Sequence, residues 1–495
     1  MIRSNFTKKA RIPEILELLF YLFVAFILVY FIGAGLNRLL FLLVLPVVWF
    51  SKRDYFWLAF FFILMEMPGG LFSGGELDDP YRLPIYNLAP GVSFTIQELY
   101  LLVIFAKSFF RKSLGQNYTP HFFQEELKML FWLFIILILI SPFMGMSYYT
   151  MSKVFKITIS LTLFYSLLRL INVEDKFANF IKLLFPFTFI ALALQIYGLI
   201  NEQQIIALFK PGISEAQGIY STDDPRGWVR PIEMGHVMLI TFTGSFYSLV
   251  SKRSSLNRNY LLLINFISFL VVLLSGTRSW FIAFCTGYII FFMIYGFRVS
   301  RIILNSVLVF FLVLLLVNSL PILKNQVKNA FSRIVTLEEV VKGDVTGGGT
   351  ISRFDVKAPI VMKAFWSSSI IFGTGFSDNF TSYGDAHIGY HNMLLNAGIL
   401  GFLVFIYTIW KALKFPFFCA KRYSLSNKKS VRTSIIALVI LLVINIGTQT
   451  IGFTPEGVNR VILMVYSLLI IEISVRTNII HQQKQNLIFQ NKLNA

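Results

Sequence analysis

The sequence is poor in charged residues. Asp, Glu, Lys and Arg make up only 14% of its 495 residues, whereas hydrophobic residues make up 56%, and the mean hydropathy is +0.69. A soluble domain cannot bury that much apolar surface in a core of ordinary size. The shortage of charge therefore excludes a soluble globular protein and predicts a membrane protein.

Cysteine and histidine are scarce as well. Of the 2 cysteines, Cys285 falls within a hydrophobic segment and Cys419 in a basic one, so the sequence offers no disulfide framework. His387 and His391 stand close together, but no set of carboxylate or cysteine partners accompanies them. We therefore expect neither a metal nor another cofactor.

Acidic residues are fewer than basic residues: the sequence has 25 Asp and Glu but 44 Lys and Arg, which gives a formal net charge of +19. An excess of this kind is typical of proteins that bind nucleic acid. Here the basic residues form short clusters between hydrophobic segments, where they orient a chain in a membrane. We expect membrane lipids as partners and no nucleic acid.

Long hydrophobic runs fill most of the chain. An α-helix needs about 20 apolar residues to cross the hydrocarbon core, and by that measure we predict an all-α polytopic membrane protein with about 14 transmembrane helices. The second and third spans are short and fit either a tilted pair or a re-entrant hairpin. The first has basic residues before it but no clear cleavage site after it, which favours a retained anchor. The candidate spans lie near 15–33, 36–50, 55–67, 96–110, 127–145, 154–171, 177–200, 232–250, 260–276, 279–296, 301–320, 391–413, 433–452 and 458–475.

The basic clusters alternate from one connection to the next. If the N-terminus is cytoplasmic, the inner connections hold Lys52 and Arg53, Lys107 to Lys112, and the basic stretch from Lys411 to Arg432. Positive residues mark the cytoplasmic side, so we predict that both termini are cytoplasmic. Residues 1–475 then form a single membrane domain, and 476–495 form a loosely ordered cytoplasmic tail.

Two external loops, 201–231 and 321–390, are too long to be simple connections. The second is predicted to carry its own helices. One covers Lys324 to Lys342, and another starts near Ser352 after a glycine-rich hinge. A turn is predicted at 372–375. We expect these two loops to form the active face.

Three polar features fall at the same predicted membrane level. Arg278 begins a span after a tight turn, and a helix N-terminus with an arginine suits a phosphate; an arginine reaching lipid headgroups is the alternative. Arg353 opens the loop helix; taken alone, it fits a solvated surface arginine better than a binding residue. His391 lies at a helix N-terminus, whose dipole disfavours protonation and leaves an imidazole able to accept a proton; a capping or interfacial histidine is the alternative.

The first long loop adds further candidates. Arg226 and Arg230 lie in an Asp-Pro-Arg-Gly-Trp-Val-Arg-Pro stretch, and Glu233 and His236 follow at the start of the next span. Gly398 and Gly401 fall within the span after His391. Small residues at this spacing let another helix approach closely, so we predict a packing role for both.

Together these motifs resemble the O-antigen ligase and polymerase superfamily over about 226–405. The resemblance rests on Ser-Gly-Thr-Arg at 275–278, Arg353, Phe-Gly-Thr-Gly at 372–375, His391-Asn392, and the glycines at 398 and 401. It implies that Arg278 and Arg353 hold the pyrophosphate of an undecaprenyl-linked sugar, and that His391 activates the acceptor hydroxyl. Arg230 and Glu233 match more loosely, while Arg226 and Asn392 are further candidates. The paired glycines stand about one helical turn closer to His391 than the family pattern places them, which leaves His387 open as the alternative base.

The resemblance implies a glycosyltransferase of the bacterial inner membrane with its active site facing the periplasm. It is expected to be metal-independent and inverting, and to act in lipopolysaccharide or other polysaccharide biosynthesis. Number of spans and loop size favour a polymerase of lipid-linked repeat units over an O-antigen ligase that transfers the glycan to lipid A core. A polysaccharide flippase is the alternative from another class, but it should carry charges inside its spans. A flippase and a chain-length regulator are the expected protein partners.

Overall fold

The computed structural model describes residues 12–32, 34–66, 85–89, 92–110, 122–171, 173–201, 234–251, 256–295, 353–384, 387–423, 425, 427–453 and 458–493. Within these residues the chain is a bundle of α-helices, as predicted. The first half contains α1 (Ile12–Tyr30), α2 (Ala34–Leu42), α3 (Val44–Phe50), α4 (Asp54–Glu66), α5 (Ile96–Phe110), α6 (Gln124–Ile140), α7 (Tyr148–Leu170), α8 (Glu174–Leu184) and α9 (Pro186–Asn201). The second half contains α10 (Gly235–Val250), α11 (Arg258–Leu274), α12 (Arg278–Tyr295), α13 (Ala358–Trp366), α14 (Asp378–Tyr383), α15 (Gly389–Arg422), α16 (Lys428–Thr433), α17 (Ile436–Gly447) and α18 (Val458–Leu493).

Six described helical segments are long and apolar enough to cross a membrane, and five shorter apolar helices accompany them. Their outer faces expose large apolar side chains, such as Phe20, Trp132 and Met293, the last of which is 75% exposed. Surfaces of this kind belong against lipid rather than water. The described residues thus confirm an all-α membrane protein. The number of about 14 spans stays a prediction, since the span near 301–320 lies outside the described residues.

Three features differ from the sequence-based predictions. Residues 476–493, predicted to be loosely ordered, continue α18 as a helix to Leu493. The segment before α5 forms a small antiparallel pair of strands, β1 (Ile85–Ala89) and β2 (Val92–Thr95). The hydrophobic pattern of the sequence did not predict these strands. The predicted loop helix at Lys324 to Lys342 lies outside the described residues. The one predicted to follow it appears as a π-helical turn, Arg353–Lys357, that leads into α13.

One large apolar cluster joins most of the described helices, and three smaller clusters lie beside it. Phe56, Phe177, Phe242, Ile440 and Leu463 are all fully or almost fully buried within it. Aromatic rings fill the spaces between helices; the ring planes of Phe246 and Phe291, for example, are 13° apart with centroids at 4.1 Å. A core that binds α4, α8, α10, α12, α17 and α18 together fixes where their ends lie, and this positions the candidate site.

Candidate functional site

Several helix ends meet at one end of the bundle, here called the site end: the beginnings of α10, α12 and α15 and the ends of α4 and α17. A Cβ built on Gly447, the last residue of α17, would lie 3.1 Å from Cβ of Ser279 in α12. A Cβ on Gly389, the first residue of α15, would lie under 3.0 Å from the Asn445 carbonyl oxygen. The end of α17 therefore touches both the helix that begins with Arg278 and the helix that carries His391.

Arg278 is the first residue of α12, as the sequence predicts. Gly276 turns the chain with a φ of 62°, and the Thr277 amide donates a hydrogen bond to Ser275 Oγ at 3.3 Å. The Thr277 carbonyl accepts from the Phe281 amide at 3.0 Å, which places Thr277 at the cap position. Arg278 is partly exposed, so this turn presents a guanidinium and the positive end of a helix dipole together.

His391 lies in the first turn of α15 and is partly exposed, whereas His387 precedes the helix and is exposed. The residue after His391 is held in place by a buried hydrogen bond. Asn392 is buried and donates a hydrogen bond to Gln449 Oε1 at 2.9 Å. The loop that carries Gln449 is held in turn by Asn445, whose Oδ1 accepts from the Thr450 and Ile451 amides at 2.8 and 3.0 Å. The position of His391 thus rests on a buried amide network.

Arg353 opens the π-helical turn before α13, and its backbone is described. The helix that follows buries Ala358, Val361 and Phe365 against Ile388 and Leu395. These two residues flank the first turn of α15. The segment that begins with Arg353 is therefore packed on the helix start that carries His391. Arg226, Arg230 and Glu233 lie outside the described residues.

The Phe-Gly-Thr-Gly motif is inserted into a break in α15. At Gly398 the backbone has φ 65° and ψ −170°, so the helix stops and restarts there. The Thr374 amide donates to the Leu395 carbonyl at 2.7 Å, and the Ile370 and Ile371 carbonyls accept from the Ile399 and Leu400 amides at 3.0 and 3.1 Å. The loop thus satisfies backbone groups that the break would otherwise leave without partners.

Because α15 is broken at Gly398, the helix-packing role predicted for this glycine is wrong. A Cβ there would lie under 3.0 Å from the Ile371 carbonyl, so it is a loop and not another helix that approaches closely. A Cβ at Gly401 would lie under 3.0 Å from the Ala397 side chain of α15 itself, and at an ordinary contact distance of 3.4 Å from Leu133 of α6.

The same loop is joined to the other half of the bundle. The Phe376 amide donates to Ser141 Oγ at 2.7 Å, and the Asp378 amide donates to the Gly145 carbonyl at 2.9 Å. The Asp378 carboxylate accepts from the Ser147 hydroxyl at 2.8 Å and from the Thr150 hydroxyl at the start of α7. These hydrogen bonds lower the pKa of Asp378 from its usual value.

Sequence reasoning missed Glu66, the last residue of α4. Its carboxylate contacts Nδ1 of His236 and accepts a hydrogen bond from the His236 amide at 3.1 Å. The His236 ring meets the Trp280 ring edge-on, with centroids 6.1 Å apart. The only signal was an acidic residue closing an otherwise apolar helix of aromatic residues. No group of three or more His, Cys, Asp or Glu suited to a metal occurs among the described residues.

An apolar crevice of about 290 Å³ opens between α6, α7, α15 and α18. Phe131, Phe164, Phe405, Phe453 and Met464 form most of its wall. Gln124 and Lys128 of α6 also line it, as do Thr450 and Gly452. Thr450 and Gly452 belong to the same loop as Gln449, the partner of Asn392. An apolar chain in this crevice would thus lie against the segment that supports His391.

Comparison with known proteins finds one family to which part of the chain is similar. A search of curated proteins finds no match to the chain. Residues 263–406 match the sequence pattern of a family described as O-antigen ligase. This region contains Arg278, Arg353, His387 and His391. Together with the apolar helices, the match indicates a protein of the bacterial inner membrane with an O-antigen ligase or polymerase-type role. The match confirms the predicted resemblance of this region to the O-antigen ligase and polymerase superfamily.

Proposed function

We propose that this protein is a glycosyltransferase that polymerises undecaprenyl-pyrophosphate-linked repeat units at the periplasmic face of the inner membrane. The observation that carries the proposal is the contact of α12 and α15 with the same helix end. Ser279 meets Gly447, and Gly389 meets Asn445 two residues earlier. Two groups of complementary chemistry, the guanidinium of Arg278 and the imidazole of His391, are thereby brought to one small region.

The chemistry follows from these groups. Arg278 and Arg353 grip the pyrophosphate with forked hydrogen bonds, which lysine cannot reproduce. The bond between the sugar C1 and the phosphate oxygen breaks, and its electron pair stays on that oxygen. Fixed guanidinium groups stabilise this developing charge without reorganising. Arg230 of the first long loop is a third candidate for this clamp.

His391 accepts the proton of the attacking hydroxyl while the new C1–O bond forms on the opposite face, so the anomeric centre inverts. The apolar crevice supports a lipid-linked donor, since its lining suits an isoprenoid chain. Among the described residues, the buried Lys107 pairs with Asp54 where α5 ends and α4 begins. This arrangement favours chemistry at one face over transport through the bundle.

The test is the product formed by the purified protein. A lipid-linked repeat unit supplied alone should give a ladder of longer lipid-linked chains. O-antigen ligation is the second candidate, because the matched family is described by that activity. A ligase would give a product only when lipid A core or another acceptor is added, and absence of product with either acceptor would refute both.

The orientation follows from the end of the bundle opposite the site end. Arg53, Lys107, Arg169, Lys429 and Arg476 all lie there, and positive residues mark the cytoplasmic side. We therefore place the site end in the periplasm and both termini in the cytoplasm.

Cysteine labelling tests this orientation after Cys285 and Cys419 have been replaced by serine. Asn379 and Lys421 are both exposed, the first at the site end and the second near the opposite end. Asn379→Cys should react with an impermeant reagent in intact cells, and Lys421→Cys only after the membrane is opened. The reverse result would invert the orientation.

A further inference from the structure

The Glu66–His236 pair lies beside the proposed pyrophosphate clamp, and the mechanism proposed above uses neither residue. The two residues are 170 positions apart in the sequence, and both belong to apolar helices. The Glu66 side chain is 7% exposed and the His236 side chain 21%. A buried carboxylate is costly unless it is paired and hydrogen-bonded. Both carboxylate oxygens of Glu66 are engaged by His236, one by Nδ1 and the other by the backbone amide.

This arrangement fixes the imidazole in one orientation. With Nδ1 held by the carboxylate, Nε2 on the opposite edge of the ring points away from Glu66. A carboxylate on one nitrogen of a histidine selects the tautomer and sets the direction of the other nitrogen. It also balances the positive charge of an imidazole that carries two protons.

The pair is located at the proposed reaction centre. The edge-on contact of His236 with Trp280 lies within the first turn of α12, two residues after Arg278. Ser279, between Arg278 and Trp280, faces the end of α17 and hence the His391 side. Successive residues on a helix point about 100° apart, so His236 and His391 approach the beginning of α12 from different sides.

We propose that His236 is a second catalytic residue of this site and that Glu66 is its positioning residue. The inference rests on the proposed glycosyl transfer. His236 donates a hydrogen bond from Nε2 to the phosphate oxygen that leaves C1, while Nδ1–H donates to Glu66. The C1–O bond breaks with its electron pair on the phosphate oxygen, the acceptor oxygen bonds to C1, and the acceptor proton passes to His391. His236 keeps its proton throughout and stabilises the leaving charge.

The experiment uses the full-length purified protein and the lipid-linked repeat unit, with or without a separate acceptor. His236→Ala should lower kcat on the order of 100-fold with little change in KM, because the lost donor acts mainly as charge develops. Added imidazole should restore part of this activity. Glu66→Gln should lower kcat about 10-fold, and imidazole should not rescue it, because the ring is still present but misoriented.

Glu472→Gln is the matched control. Its carboxylate is also buried and paired, with Arg476 at 2.6 Å, but at the opposite end of the bundle. It should keep wild-type kcat. Wild-type kcat in His236→Ala would overturn the inference, as would equal losses in Glu66→Gln and Glu472→Gln that follow melting temperature without imidazole rescue. Absence of any product from the wild-type protein would instead refute the proposed function and this inference with it.

Discussion

The two ends of the bundle are built in different ways. At the site end the backbone departs from regular helix: Gly276, Gly373, Gly375, Gly398, Gly452 and Met234 all have positive φ there. Buried amides such as Asn392, Asn445 and Gln449 satisfy the groups that these departures expose. At the opposite end no described residue has a positive φ, and long cations are held by carboxylates, carbonyl oxygens or aromatic rings. Arg53 pairs with Glu17 at 2.6 Å, and Arg169 lies 3.9 Å from the Tyr165 ring centroid.

This difference separates orientation from chemistry. Cations near regular helix ends need only a rough position to set the side of the membrane on which a connection lies. A transferase site needs groups placed to within a fraction of an ångström, and irregular backbone supported on all sides provides that precision. Substitutions at the site end should therefore impair catalysis sharply, and matched substitutions at the opposite end should not.

The largest effect is expected at His391. His391→Ala should lower the chemical step on the order of 100- to 10,000-fold, because His391 is the proposed acceptor of the proton from the attacking hydroxyl. His391→Gln should fail nearly as badly, since an amide cannot accept that proton. Single-turnover kinetics on the lipid-linked donor measure the step, and donor binding should be almost unchanged in both variants.

His387→Ala is the control, since it lies four positions away and is exposed. An inactive His387→Ala beside an active His391→Ala would transfer the role of base to His387. Normal rates in both variants would mean that neither histidine is the general base.

Arginines at the two ends sharpen the comparison next. Arg278→Ala and Arg353→Ala should each reduce the rate about 30- to 1000-fold, equivalent to about 2–4 kcal/mol. Arg278→Lys should recover only part of this, because lysine lacks the planar fork. Arg53→Lys at the opposite end should keep near-normal activity, since its partner Glu17 can still pair with an ammonium. Near-normal rates for Arg353→Ala at normal protein levels would exclude Arg353 from the clamp.

Backbone conformation gives a third contrast, between two glycines. Gly398→Ala should destabilise the protein by more than about 2 kcal/mol, because a side chain is strained at φ 65° and would meet the Ile371 carbonyl. Gly35→Ala should be tolerated, since nothing lies within 4 Å of its added Cβ. Melting temperatures in detergent compare them. A normal melting temperature for Gly398→Ala would mean that the break in α15 does not persist in solution.

Sequence patterns predicted the features that depend on neighbouring residues. The hydrophobic runs located most described helices, and the turn before Arg278 gave the start of α12. They did not predict the break at Gly398, because two glycines in an apolar helix equally suit close packing. The break becomes necessary only once residues 370–374 are seated against it.

The sequence patterns also did not predict contacts between distant parts of the chain. Glu66 reads as a helix end until His236, 170 positions later, is placed beside it. Asp378 reads as a loop residue until the start of α7 is placed beside it, 228 positions earlier. Such pairs depend on how helices are arranged in the bundle, which a single sequence does not encode locally.

The smallest effect is expected at Asp378, which joins the loop to α7. Its hydrogen bonds from Thr150 and Ser147 lower its pKa in the folded protein. A group with a lowered folded-state pKa stabilises the fold above its unfolded pKa, and that stability is lost as pH falls through the folded pKa. The melting temperature of the wild-type protein should therefore decrease when the pH is lowered below about 4, which is near the ordinary pKa of an aspartate.

In Asp378→Asn this part of the decrease should be absent, and the melting temperature near neutral pH should be slightly lower than that of the wild type. Asp355→Asn, an exposed carboxylate in the π-helical turn before α13, is the control and should follow the wild-type curve. Superimposable curves for Asp378→Asn and the wild type would mean that the loop is held to α7 by its backbone contacts alone, the Asp378 amide on Gly145 and the Phe376 amide on Ser141.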